Sequence, residues 1–158
     1  MKFTSSSIII GSGIAWFSIG LYLLFLGIHF LVQEAKLDLA QANLTLWVSQ
    51  MTGSVEGASL LLLVLGLGAG SFKGKYVFKK TVQRVVNKVK SIKGPIRLSQ
   101  VYGIGYLGLI LGMMGLGMGM KWLHVPLDIR GMIDVAVGSA LIQGALSYFK
   151  LGYAERLR

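Results

Sequence analysis

Cysteine is absent from the 158-residue chain, which excludes disulfides, thiolate metal sites and thiol catalysis and leaves the redox compartment open. Charge is scarce: Asp, Glu, Lys and Arg make up 14% of the residues, against roughly 25% in soluble domains. With 54% of residues apolar and a mean hydropathy of +0.67, water is excluded as the main solvent. Enzymatic signatures are missing as well. Ser5, Ser6 and Ser7 have no basic partner, and the glycine-rich runs lack both the Lys-Ser/Thr of a phosphate loop and the strand of a dinucleotide fingerprint. Nor do the apolar runs hold a pair of histidines for haem. Read this way, the chain is not an enzyme and needs neither a cofactor nor a metal.

Four long apolar runs occupy most of the sequence. The first, 8–32, holds no Asp, Glu, Lys or Arg over 25 residues, enough to cross a hydrocarbon core that needs about 20. It is too long for a signal peptide, and no small-residue cleavage site follows it. The others are 51–72, interrupted by Glu56, 98–120, and 131–149, interrupted by Asp134. The expectation is a single all-α integral membrane domain over residues 1–158, with four transmembrane helices arranged as two helical hairpins. Small multidrug transporters share this size but use a carboxylate deep in the first span, where this chain has none.

Sixteen Lys and Arg against six Asp and Glu give a formal charge of +10. Spread over a soluble surface, that surplus would indicate nucleic-acid binding. Instead, nine of the cations fall in the linker 73–97 with no acid among them, so anionic lipid headgroups are the expected partner and nucleic acid is not. Positive residues near membrane ends stay in the cytoplasm. The linker and Lys150, Arg156 and Arg158 therefore place both termini inside, while Lys36 alone and Lys121 with Arg130 mark the outer loops. A bacterial inner membrane is the favoured location, an organellar membrane the alternative.

Within the linker, Phe78, Val82, Val85, Val89 and Ile92 recur at steps of four and three, with Lys79, Lys80, Arg84, Lys88, Lys90 and Lys93 off that face. This predicts a basic amphipathic helix lying on the cytoplasmic leaflet, ended by Gly94-Pro95 and binding acidic lipid through those cations together with Lys73 and Lys75. On the opposite side Leu37, Ala40, Leu44, Trp47 and Met51 predict a short helix anchored by Trp47 among the headgroups. An internal repeat is suggested by Phe72-Lys73 and Phe149-Lys150, each ending a run that carries one carboxylate.

Glycine is abundant, at 22 residues. Small residues four apart let membrane helices approach closely, and Gly108-Gly112, Gly115-Gly119, Gly53-Gly57, Gly66-Gly70 and Ala136-Ala140-Gly144 have that spacing, while Gly13, Gly20 and Gly27 recur every seven. Gly108, Gly112, Gly115 and Gly119 are the expected packing residues of the third span, and self-association into a homo-oligomer or a membrane complex is the expected outcome. Ionisable residues inside a bilayer are costly, so each is a candidate for function. Glu56 and Asp134, with His29 and His124, could form a proton- or cation-responsive cluster, or could simply start helices. The leading expectation is a small multi-pass protein that organises lipid or a membrane complex. The alternative is an oligomeric transporter or channel for protons or cations.

Overall fold

The computed structural model describes residues 5–36, 43–91, 111–112, 115 and 117–156; among them every regular element is helical and none is a strand. The long elements are α1 (Ser5–Lys36), α2 (Asn43–Thr52), α3 (Val55–Ser91) and α4 (Leu127–Arg156). Three stretches, Ser7–Gln33, Val55–Tyr76 and Leu127–Ala154, are long and apolar enough to cross a membrane. Most of the expected span 98–120 lies outside the described residues; those described from 117 to 122 are helical.

Two boundaries differ from the apolar runs, for local reasons. Met51 and Thr52 belong to α2 rather than to the second span. α2 stops at Gly53, whose φ of +75° is one that a side chain rarely tolerates, and whose amide closes the last turn on Ser49 O at 2.8 Å. Ser54 then caps α3, its hydroxyl accepting from Gly57 N at 3.1 Å. Gly53-Gly57 is thus a helix stop and start, not a packing motif. In the second case, His124 takes φ of 49°, and Val125 N bonds back to Met120 O at 3.1 Å, a left-handed end to the helical stretch before α4.

Packing follows two seams of small residues. On α1, Gly13, Gly20 and Gly27 recur every seven, and on α4 Gly131, Gly138, Ala145 and Gly152 do the same. Gly27 meets Gly131 and Gly20 meets Gly138, so the numbers fall on one helix as they rise on the other and the pair is antiparallel. A Cβ on Gly27 would lie 2.7 Å from Gly131 O, and one on Gly138 2.7 Å from Gly20 O. Only hydrogen fits there, and the two backbones touch. The second seam steps by four. Gly66 approaches Met132 O, Gly70 the carbonyl of Ala136 and the Ser139 hydroxyl, and Gly74 Ala140. Numbers rise together on α3 and α4, so these helices run parallel, in a register offset of 66. Of the sequence spacings, Gly66-Gly70 and Ala136-Ala140 therefore lie on one seam and meet at Gly70 and Ala136.

The third-span glycines behave differently from expectation. Among the described residues a Cβ on Gly112, Gly115 or Gly119 would meet nothing within 4 Å; Gly108 lies outside the described residues. Apolar side chains fill the bundle on either side of the glycine contacts. Leu31, Val48, Ala58, Leu62 and Val135 cluster at one end, and Ile8, Ile9, Trp16, Val82, Leu141, Ala145 and Tyr148 at the other.

The linker also departs from the sequence reading. No break separates a span ending at 72 from an amphipathic helix: α3 runs unbroken for 37 residues, about 55 Å at 1.5 Å per residue against a hydrocarbon core of roughly 30 Å. Val82, expected on the face turned to lipid, is fully buried among Ile8, Ile9 and Tyr148. The first basic turns of the linker therefore continue α3 and pack at Val82 against α1 and α4.

Candidate functional site

The two ends of the bundle differ in chemistry. At the end where α1 finishes and α3 and α4 begin, the sequence-predicted ionisable residues part company. His29 is exposed on α1, Glu56 is exposed in the first turn of α3, and His124 is exposed in the turn before α4, whereas Asp134 is buried. Among the described residues no three His, Asp or Glu come together to hold a metal. Glu56 fits the helix-starting role, its charge facing the positive end of α3.

Asp134 does not fit that role, because α4 begins at Leu127, seven residues earlier and about 10 Å away. That position in the first turn belongs to Asp128, which sequence reasoning missed. Asp128 is fully buried. Its Oδ1 accepts from Ile129 N at 2.7 Å, and its Oδ2 accepts from Leu44 N and Thr45 N, both at 2.9 Å. Those two amides are free donors at the start of α2, so the carboxylate caps a helix 83 residues away in sequence. This turns the buried face of α2 toward Thr45 and Val48 and leaves Trp47 and Met51 exposed, in keeping with the headgroup anchor expected for Trp47. Nearby, the Arg130 guanidinium lies 4.9 Å from the centre of the Phe30 ring, a cation–π contact between α1 and α4. Arg130 Nε and Asp134 Oδ2 are buried without a hydrogen-bond partner.

The opposite end is basic. Lys73, Lys75, Arg84 and Lys150 are exposed there. Lys79, Lys80, Lys88 and Lys90 lie on α3, with side chains outside the described ones, and Lys93 lies outside the described residues altogether. Between α3 and α4 at this end runs an open groove of about 750 Å³. Gly68 and Phe72 line its inner part, Lys75 follows one turn further along α3, and Gln143, Leu146 and Lys150 come from α4. Among the described residues neither Lys75 nor Lys150 is paired with a carboxylate, so the groove has positive walls and a partly apolar floor. The linker cations were visible in the sequence, but Lys150, contributed by a helix 75 residues away, could be joined to them only by the parallel register of α3 and α4.

Comparison with protein-family models, with curated proteins and with solved structures finds no match.

Proposed function

We propose that this chain is a four-span, non-enzymatic membrane protein that gathers anionic lipid, or a complex resting on it, at a basic cytoplasmic end. The observation that carries this reading is the parallel direction of α3 and α4. α3 ends at Ser91 on the basic side and α4 begins at Leu127 on the other, which supports a fourth crossing between them. With four crossings, α1 begins and α4 ends on the side that carries the cations, and the excess of Lys and Arg is what would keep that side cytoplasmic. The unbroken α3 carries its first cations, Lys73 and Lys75, at the end of the apolar stretch, at the level of the headgroups, where each gains about 1 kcal/mol from an anionic leaflet.

Reconstitution of the full chain with spin-labelled lipids tests this. Acidic lipid is expected to be enriched severalfold over phosphatidylcholine in the layer around the protein at 0.1 M salt. The enrichment should collapse at 1 M, as the Debye length falls from about 10 Å to about 3 Å. Equal partitioning of the two lipids at low salt would refute the proposal.

A second reading, an oligomeric path for protons or cations, draws support from one observation: Asp134 is buried with an oxygen that has no partner, and such groups within a membrane mark pathways. In vesicles carrying an internal pH dye, wild-type protein would then dissipate a proton gradient and Asp134→Asn would not. Wild-type vesicles as tight as protein-free ones would dismiss this path.

A further inference from the structure

The groove at the basic end carries more than a general attraction to charge. We propose that it is a site for one acidic glycerophospholipid, with its phosphate and headgroup between Lys75 and Lys150 and one acyl chain running inward past Phe72 to Gly68. This inference rests on the lipid-gathering function proposed above and names the place where a single lipid is held.

Size, charge and depth all agree. The volume of about 750 Å³ falls within the range of roughly 300–1,000 Å³ typical of small-molecule sites, and it takes a headgroup with the upper part of a chain. In the α3–α4 register, Lys75 lies level with Leu141 and Lys150 level with Arg84, nine residues apart, or about 13 Å along the axis. The two ammonium groups thus straddle the length of a headgroup rather than a single oxygen. Lys75 lies one residue inside the end of the stretch Val55–Tyr76, so it sits at the depth of a phosphate. An anion lying between the two ammonium groups is attracted by both. Basic pockets between membrane helices on the cytoplasmic side hold acidic headgroups in this manner. At the inner end the floor is open, because a Cβ on Gly68 would meet nothing within 4 Å. That vacancy continues the groove from the headgroup level into the apolar zone, where a phosphate alone has no reason to go and an acyl chain does.

The same glycine supplies a test that leaves charge untouched. Gly68→Leu fills the inner groove without touching a neighbouring backbone, so the fold is retained. Lys75→Gln with Lys150→Gln removes two charges from the groove, and Lys73→Gln with Arg84→Gln removes two exposed charges at the same end that do not line it. Each full-length protein is reconstituted with a mixture of phosphatidylglycerol and phosphatidylcholine, extracted in mild detergent, and its retained lipid counted by native mass spectrometry. Wild type is expected to keep one phosphatidylglycerol. The groove pair should lose at least tenfold in that occupancy, Gly68→Leu at least threefold, and the control pair less than twofold. Equal losses in the two lysine pairs would overturn the site while leaving general attraction to acidic lipid intact. Unchanged occupancy in Gly68→Leu would overturn the acyl path. A mass shift to a dimer that the groove pair abolishes would give the groove to a second copy of the chain. Wild type that keeps no acidic lipid, and shows no enrichment of it in the bilayer, would remove both the site and the function beneath it.

Discussion

Replacing Gly138 with leucine is expected to abolish the folded bundle. A Cβ there would lie 2.7 Å from both Gly20 O and Leu24 N. These are backbone atoms of a rigid helix, so no rotamer change relieves the clash. α1 and α4 would have to move apart by more than an ångström, and the contacts at Gly27–Gly131 and Gly20–Gly138 would open together, because one straight seam carries them all. Overpacking of a tight core usually costs about 1–3 kcal/mol. A substitution that parts two helices along their length belongs with the exceptional losses above about 4 kcal/mol. Gly112→Leu is the matched control: its Cβ meets open space, and leucine is the better helix former by nearly 1 kcal/mol. Thermal melts followed by size-exclusion chromatography in detergent should show no monodisperse Gly138→Leu protein and an unchanged or slightly raised melting point for Gly112→Leu. Similar melting of the two variants would mean that the α1–α4 seam does not hold the molecule together.

An all-or-none effect is expected from cysteine accessibility, for which the cysteine-free chain is a ready background. Ser54, in the α2–α3 turn, and His124, in the turn before α4, are both exposed and both lie at the acidic end. Ser91 closes α3 at the other. Single cysteines at 54 and 124 should react with an impermeant maleimide from one side of a sealed vesicle, and a cysteine at 91 only from the opposite side. Residues 91 and 124 reacting from the same side would eliminate a crossing between them and with it the four-span arrangement.

Much of this fold was legible in the residues themselves, because a bilayer imposes length and apolarity on any crossing helix and leaves few alternatives. Three of the four apolar runs correspond to helices fit to cross, and the starts of α3 and α4 are written in Gly53-Ser54 and the residues before Leu127. Glycine spacing was legible only as a set of possibilities. Gly13, Gly20 and Gly27 stood out at intervals of seven, and Gly131 and Gly138, the partners of Gly27 and Gly20, keep the same interval, but spacing on one helix does not say which other helix answers it. For that reason Gly112 and Gly115, with equally good spacing, were equally credible and face open space instead. The end of the second span at Phe72 was misjudged because the onset of lysines marks where lipid stops, not where a helix stops; lysine is a good helix former, and α3 continues. Asp128 was invisible for a deeper reason. Its partners at Leu44 and Thr45 are local to another helix, and no pattern within either segment announces a bond between them.

That bond also sets an order of events during synthesis. At about 5–20 residues per second, the 83 residues between Thr45 and Asp128 separate the birth of α2 from the arrival of its cap by roughly 4–17 s. The glycine seam of α1 waits even longer for Gly131 and Gly138. During that interval the glycine face of α1 lacks the helix that covers it. Until then the amides at the start of α2 lack their cap, and α2 is held by the packing of Val48 against Ala58 and Leu62 of α3. Arrival of α4 then closes the seam with α1, the seam with α3 and the cap on α2 in one step. A nascent chain halted before residue 128 therefore lacks both glycine seams and the cap on α2 at once.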